Sequence, residues 1–220
     1  MIFLDVEASG LHASSYPIEV AWCRHDLTAG WSALVRPAPA WGEDDWSPAS
    51  ERIHGIGRLQ TQLAGLPVSE VAARLNAALA GQLVMSDHPE ADSGWLWRAF
   101  VEAKASPAFT MARPLMHSQA RHTEEELAQL ATLDVDVLLT ELAQKAGISA
   151  EHMERISAEL RADAGIKPHR ALDDVIGHAL DLGAVALIQA ACDHGDQAAA
   201  TLRAELLHRA GVLLREHGRR

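Results

Sequence analysis

MIFLDVEASGL, residues 1–11, opens the chain and indicates which fold follows. Ile2–Leu4 is an apolar run with no room for a helix before Gly10, which predicts a buried strand. Asp5 and Glu7 are two residues apart, so in a strand both carboxylates point to the same face. Burying two like charges side by side is costly unless a cation neutralises them, and oxygen ligands suit Mg²⁺ or Mn²⁺. The alternative is a pair of ordinary charges at a strand end, and the rest of the chain has to decide between the two.

The composition is typical of a soluble globular protein. The length of 220 residues suits one domain with a full core, and 48% of the residues are apolar and 22% charged. No apolar run is long enough to span a membrane, and the N-terminus lacks the basic region of a signal peptide, so no membrane partner is expected. Cys23 and Cys192 are too few for a disulfide or zinc framework. We interpret both as buried thiols of a cytoplasmic protein.

The net charge restricts the possible partners. The formal charge at pH 7 is −11, which argues against a protein that coats long nucleic acid through a broad basic surface. An enzyme that grips a few nucleotides is still compatible with this charge. Carboxylates reserved for metal ions count as negative here and are neutralised in use.

The hydrophobic pattern predicts an α/β fold in which a mixed five-stranded sheet is flanked by helices. Three strands in hairpin succession favour an antiparallel meander, and two later strands alternate with helices. Strands are predicted at 2–4, 17–23, 31–35, 83–86 and 108–111, and helices at 68–80, from 92, and at about 123–145, 150–164, 170–192 and 197–217. We assign residues 1–192 to one domain and residues 193–220 to a helical extension. This extension packs on that domain or on a partner subunit, which makes a homodimer plausible.

Residues 167–174, KPHRALDD, form the second informative stretch. Pro168 ends one element, and a helix begins near Arg170. His169 and Asp174 are five residues apart across this boundary, so both side chains can reach one site. The alternative is a plain helix start whose acids complement the helix dipole. The adjacent Asp173 is expected to point elsewhere, as a surface or capping charge.

A third acidic segment, SDHPEAD at 86–92, lies between these two. Asp92 follows a predicted buried strand and heads a helix, as an N-cap residue does. That capping role applies whether or not Asp92 also serves catalysis.

Taken in order, these segments resemble the DEDDh exonucleases, a superfamily with a ribonuclease H-like fold that includes polymerase proofreading subunits, ribonuclease T and oligoribonuclease. The resemblance rests on FLDVEASGL at 3–11, IHGI at 53–56, the acid that heads a helix at Asp92, and HRALDD at 169–174. It covers the chain from Met1 to about Leu180. Four motifs in the right order, each with matching local structure, are far more specific than any one of them.

The resemblance implies a metal site and a reaction. Asp5, Glu7 and Asp174 would bind one Mg²⁺ or Mn²⁺ ion, and Asp5 would be shared with a second ion that Asp92 holds through water. His169 matches the catalytic histidine of the family. The implied activity is a 3′-to-5′ exonuclease that removes mononucleotides from single-stranded DNA or RNA.

The resemblance also implies where the substrate lies. The backbone of Ala8, Ser9 and Gly10 would hold the terminal 3′-hydroxyl. His54 belongs to the IHGI motif, and Leu11 and Ile56 would press on the last bases. For Leu11 and Ile56, filling the edge of the sheet is the alternative interpretation. The substrate-binding candidates are therefore Ala8, Ser9, Gly10, Leu11, His54 and Ile56.

The chain departs from the family at the second motif. Much of the family has an Asn-containing loop followed by Phe-Asp, whereas this chain has Glu90-Ala91-Asp92, with Asp87 as a rival acid. Asp92 is preferred because it heads the helix, just before Trp95 and Leu96. The competing hypothesis is a nucleic-acid-binding module that kept the fold and lost the reaction. An Asp92 turned away from Asp5 would favour that module.

Two other features are open to a nucleic-acid interpretation. Trp41 and Trp46 lie in an acidic loop, where they either stack on bases or pack in the core. A weakly basic loop after the fifth strand either meets phosphates or is simply solvated. Its basic residues are Arg113, His117, Arg121 and His122.

Overall fold

The computed structural model describes residues 1–111, 140, 142–144 and 146–218. The strands are β1 (Ile2–Ala8), β2 (Pro17–Arg24), β3 (Gly30–Leu34), β4 (Leu83–Met85) and β5 (Thr110–Met111). The helices are α1 (Pro48–His54), α2 (Arg58–Ala64), α3 (Val68–Leu79), α4 (Pro89–Glu102), α5 (Ala150–Ala164), α6 (Ala171–His194) and α7 (Asp196–Leu213), which runs into a π-helical turn, Leu214–Gly218. The predicted basic loop at 113–122 and most of the predicted helix at 123–145 lie outside the described residues.

The sheet has the order β3-β2-β1-β4-β5. β1 pairs antiparallel with β2, and β2 pairs antiparallel with β3. β1 pairs in parallel with β4, and β4 pairs in parallel with β5. The predicted mixed five-stranded sheet is therefore confirmed. The parallel register places Met85, the last residue of β4, opposite Phe3, so the residues that follow β4 continue alongside the second half of β1.

The alternation of side chains along β1 divides the core in two. Ile2, Leu4 and Val6 point to one face of the sheet, where α3 and α4 cover it. The members of this cluster from the two helices include Val68, Val71, Leu75, Leu79, Leu96, Ala99 and Phe100. Phe3 points to the opposite face and packs against α6. Since Asp5 and Glu7 share the face of Phe3, both acids are directed towards α6.

The long helix α6 is the centre of the second core. Its apolar residues pack on the sheet and on α5 and α7. By length and composition it is also apolar enough to cross a membrane, with a mean hydropathy of 1.6, contrary to the expectation that no such run exists. However, 67% of that apolar window is buried inside the protein. Its burial is that of a core helix packed on a sheet.

The two cysteines occupy different environments. Cys23 is buried, and its Sγ donates a hydrogen bond to the carbonyl of Val175 at 3.1 Å. Cys192, near the end of α6, is exposed. The prediction of a buried thiol was wrong for Cys192, because its side chain in the last turn of α6 is exposed to solvent.

Helix α7 packs back on α6 of the same chain. Leu206, Ala210 and Leu213 belong to the core cluster of α6. The following turn reaches the edge strand, where the hydroxyl of Ser32 donates to the carbonyl of His217 at 2.9 Å. The proposed boundary between residues 1–192 and 193–220 stays a prediction, as does a homodimer.

Two local features differ from the sequence prediction. Residues 48–54 form a helix, α1, at a place where no helix was predicted from the sequence; Ser47 caps it and the left-handed Gly55 ends it. Helix α4 begins at Pro89, three residues before the predicted start at Asp92. Proline at the first helical position lacks the N–H that would be unsatisfied there, which accounts for the earlier start.

Candidate active site

Three carboxylates meet where β1 faces the start of α6. Asp5 and Glu7 come from β1, and Asp174 from the first turn of α6. One oxygen from each of the three lies within 4.8 Å of the other two. The structure thus brings the two ends of the predicted site together.

A second group of carboxylates shares Asp5. One oxygen each from Asp5, Asp87 and Asp92 again lies within 4.8 Å of the others. Asp87 follows β4 and Asp92 lies in the first turn of α4, so the parallel pairing of β1 and β4 brings them beside Asp5. Asp92 is therefore not turned away from Asp5. An Asp92 turned away would have favoured the hypothesis of an inactive module. Asp87, the less favoured acid in the sequence, belongs to the same cluster.

Burial makes these carboxylates hard to ionise. Burial, followed by the charges of Asp92 and Glu7, raises the pKa of Asp5 well above its usual value. Burial, followed by the charge of Asp174, raises the pKa of Glu7 to about 8. The pKa values of Asp92 and Asp174 are also raised, in both cases chiefly by burial.

The cluster fits two divalent cations. Each group offers three carboxylate oxygens within one coordination sphere, and the groups share Asp5. Oxygen-only ligands suit hard cations such as Mg²⁺ and Mn²⁺. A cation would also offset the burial and mutual repulsion that raise the pKa values of Asp5, Glu7, Asp92 and Asp174. The residues that could hold such ions are Asp5, Glu7, Asp87, Asp92 and Asp174.

A hydrogen bond from Ser86 orients the carboxylate of Asp92. The hydroxyl of Ser86 donates to Oδ2 of Asp92 and accepts the backbone N–H of His88 at 3.0 Å. Asp92 is 1% exposed and is not the N-cap of α4, a position that His88 occupies. The prediction of a capping role for Asp92 was wrong, because the helix starts one turn earlier.

An ion pair holds the start of α6 against the sheet. Glu19 of β2 accepts two hydrogen bonds from the guanidinium of Arg170, at 3.0 and 2.6 Å, and one from the backbone N–H of Ala171 at 3.1 Å. Glu19 is 3% exposed and pairs with Glu7 across the β1–β2 ladder. The backbone N–H of Arg170 in turn donates to Asp174 at 3.1 Å. Together these hydrogen bonds fix the position of the Asp174 side chain.

Neighbouring residues complete the loop before α6. Asp173 is buried, so the expectation of a surface charge was wrong. It accepts the backbone N–H of Lys167, a residue of the loop before α6, at 2.9 Å, and among the described residues no side chain caps this helix. His169 is exposed and has a φ of 63°, a left-handed conformation that is unusual for a residue with a side chain. It lines the same cleft as the carboxylates.

The carboxylates lie at the floor of a cleft of ≈ 490 Å³. This volume is in the range of sites that bind small organic ligands. Two exposed apolar side chains line it, Leu11 at 86% and Ile53 at 59% exposure. Ala8 and His54 also line the cleft, and burial lowers the pKa of His54. Nδ1 of His54 accepts the backbone N–H of Ile56 at 3.0 Å.

Three of the predicted substrate-binding residues do not line this cleft: Ser9, Gly10 and Ile56. Ser9 is fully buried; its hydroxyl and N–H bond to the backbone of Tyr16, and its carbonyl accepts the N–H of Ser47. Ile56 is fully buried in the core beside α3. These positions correct the expectation that they touch the substrate. Ile53, one turn earlier on α1, has the exposure that was expected of Ile56.

The two tryptophans of the acidic loop are engaged within the protein. Trp41 is buried and stacks on Tyr16, with ring centroids 4.8 Å apart. Nε1 of Trp46 donates to Glu51 at 2.6 Å, and its ring lies edge-on to His54. The core interpretation therefore holds for Trp41.

No protein-family model matches this chain, and no curated protein matches its sequence. Solved structures of exonuclease I are similar in three dimensions. The zinc-bound complex of E. coli exonuclease I with single-stranded DNA has a TM-score of 0.51 at 14% identity, over 86% of this chain and 40% of that one. A second structure of exonuclease I, one that suggests how processivity is achieved, has a TM-score of 0.51 at 16% identity, over 92% of this chain and 42% of that one.

This chain spans about two fifths of the length of those exonucleases, 40% and 42%. At such identities the likeness concerns the fold. The chain has the ribonuclease H-like fold of exonuclease I, in agreement with the resemblance to the DEDDh superfamily.

Proposed function

We propose that this protein is a metal-dependent 3′–5′ exonuclease that hydrolyses phosphodiester bonds at the 3′ end of single-stranded DNA or RNA. The observation that carries the proposal is the convergence of carboxylates from β1, the β4–α4 segment and α6 on one cleft, with Asp5 common to two groups. The cleft also contains an exposed histidine, His169. E. coli exonuclease I, which has this fold, is known in complex with single-stranded DNA, and we extend that substrate class to this chain.

The carboxylates would hold two Mg²⁺ or Mn²⁺ ions. When bound, such ions supply activation of water, neutralisation of the charge on the phosphorane-like transition state and stabilisation of the leaving oxygen. Asp5, Glu7 and Asp174 would hold one ion, and Asp5 would be shared with the ion beside Asp92. Ser86 and the Glu19–Arg170 ion pair keep these side chains in position without contacting the substrate.

His169 is the general base of the proposed reaction. A ring nitrogen takes the proton of the attacking water, the water oxygen bonds to phosphorus, and the bond from phosphorus to the 3′ oxygen of the preceding nucleotide breaks. The exposed position of His169 at the rim of the cleft supports this role, since a base has to reach water and substrate together. Its short loop is held by Arg170, the next residue.

The walls of the cleft would select a single-stranded end. Leu11 and Ile53 are exposed apolar side chains on opposite segments of the chain, suited to contact with the faces of the last bases. Ala8 lines the cleft beside Glu7, where its backbone would hold a terminal 3′-hydroxyl. A cytoplasmic location and the homodimer stay predictions.

The proposal is tested with a 5′-labelled oligonucleotide, as matched DNA and RNA, in the presence of Mg²⁺, Mn²⁺ or EDTA. We expect a ladder of products shortened from the 3′ end that disappears in EDTA. His169→Ala should bind Mn²⁺ normally but lose most of its turnover, whereas Asp5→Ala should lose both. Glu70→Gln, which removes an exposed carboxylate on α3 outside the cleft, is the matched control. Normal hydrolysis by Asp5→Ala protein would refute the proposal, and binding of oligonucleotide without any cleavage would favour the inactive module.

A further inference from the structure

Asp87 is the member of the acidic cluster for which the resemblance provides no role. It lies just after β4, between Ser86 and His88, and it offers an oxygen within 4.8 Å of oxygens of Asp5 and Asp92. Its Oδ1 is buried and has no hydrogen-bond partner among the described residues. A buried carboxylate oxygen without a partner costs stability unless something satisfies it.

Its other oxygen faces a buried histidine on α6. Nε2 of His178 lies 3.6 Å from Oδ2 of Asp87, and His178 is 8% exposed. This Nε2 likewise has no hydrogen-bond partner within the described part of the chain. His178 follows Asp174 by four residues, so both side chains lie on the same face of α6. The ring of Phe3 packs beside it, with centroids 5.9 Å apart.

A purely structural ion pair between Asp87 and His178 does not account for this arrangement. Such a pair would use Oδ2 alone and would leave Oδ1 buried without a partner beside two other carboxylates. Asp92 is itself partly committed, because its Oδ2 accepts the hydroxyl of Ser86. A cation beside Asp5 and Asp92 therefore has few free oxygens to use, and Asp87 supplies the missing one.

We propose that Asp87 is a direct ligand of the second divalent cation, together with Asp5 and Asp92, and that His178 is a positioning residue that orients the Asp87 carboxylate. This inference rests on the proposed function, since it assigns the ligands of the same site. A histidine behind a metal-binding carboxylate fixes the direction of that ligand, and loss of such an outer partner lowers metal affinity.

The test is a calorimetric titration of Mn²⁺ into the 220-residue chain. Wild-type protein is compared with Asp87→Asn, a nearly isosteric change that removes one ligand charge. Glu90→Gln is the matched control, since Glu90 is an exposed acid three residues away on α4. Circular dichroism and melting in EDTA establish that each variant is folded before titration.

We expect wild-type and Glu90→Gln proteins to bind two ions. Asp87→Asn should bind the first ion with unchanged affinity and the second at least about tenfold more weakly, the smallest loss typical even of an outer-shell partner. His178→Leu keeps the apolar bulk beside Phe3 and should weaken only the second ion, by about tenfold. It serves as the second variant if Asp87→Asn does not fold.

The failures of the two proposals are distinguishable. Unchanged affinities in Asp87→Asn or His178→Leu would overturn this inference and leave the exonuclease proposal intact. If wild-type protein binds only one ion, the proposal of a second cation site is refuted. Wild-type protein that binds no ion would overturn the metal-dependent function as well.

Discussion

Glu7→Gln should make the metal-free protein more tolerant of alkaline pH. Glu7 lies in the cleft, and burial, together with the charges of Asp174 and Glu19, raises its pKa from 4.5 to about 8, while Arg170 opposes the shift. The folded state therefore holds this proton more tightly than the unfolded chain does. A carboxyl with a raised pKa makes folding less favourable as the pH rises from about 4.5 through about 8, and the penalty is complete above the folded-state pKa. The glutamine side chain has nearly the same shape as glutamate and no such titration.

The size of the effect follows from the shift. A shift of this size corresponds to about 5 kcal/mol at most, at 1.36 kcal/mol per pKa unit. Between pH 6 and pH 8 the linkage relation assigns about 2 kcal/mol of lost stability to this one group. We expect urea denaturation in EDTA to show that loss in wild-type protein and a loss smaller by about 2 kcal/mol in Glu7→Gln. Equal losses in both proteins would refute the view that Glu7 is held protonated by its neighbours.

Bound metal should reverse the loss of folding stability that accompanies rising pH. Divalent ions bind deprotonated carboxylates, so saturating Mn²⁺ should stabilise wild-type protein more at pH 8 than at pH 6. Glu7→Gln lacks one of the proposed ligands and should gain less stability from Mn²⁺ at both pH values. Glu70→Gln, which loses an exposed charge on α3, controls for the change in net charge.

Two further substitutions separate support of the site from contact with substrate. Glu19→Gln removes the negative charge and one of the two oxygens that accept hydrogen bonds from Arg170. It should lower the free energy of unfolding by about 1–3 kcal/mol, discounted for the partly exposed guanidinium, and should also lower Mn²⁺ affinity. A stability within about 0.5 kcal/mol of wild type by urea denaturation, the scatter of surface substitutions, would contradict the role of the ion pair. Ile53→Ala should raise the KM for an oligonucleotide by about fivefold, equivalent to about 1 kcal/mol of apolar contact, and leave kcat and stability unchanged. An unchanged KM in steady-state assays would remove Ile53 from the substrate wall.

The sheet and its acidic face could be predicted because they depend on local periodicity. The alternation along β1 puts Phe3, Asp5 and Glu7 on one face, and the structure agrees because that face is covered by α6. The start of α6 was placed correctly for a similar reason: Pro168 ends the preceding segment, and an apolar helix follows. Both inferences needed only the immediate neighbours of each residue.

The errors arose where tertiary packing chooses between chemically similar residues. Ile53 and Ile56 are equally apolar, and only the tertiary structure shows that Ile53 on α1 lines the cleft whereas Ile56, after the helix, is buried in the core. Asp87 and Asp92 are both acids near the end of β4, and the sequence pattern favoured Asp92 alone. In the structure Asp87, after the strand, and Asp92, in the first turn of the helix, both lie beside Asp5. The signal that could have identified Asp87 was its place close to the end of a strand parallel to β1.

The supports of the site explain how this chain tolerates so many buried acids. Glu19 and Arg170 form an ion pair that connects the start of α6 to β2. This ion pair, which is not part of the proposed metal site, holds Asp174 beside Glu7 against their mutual repulsion. Ser86 does the same for Asp92 on the β4 side. Because these links remain when the cations leave, the metal-free cluster stays assembled but repulsive. Such a site binds cations with little reorganisation, and the chain is less stable without them than its core alone would make it.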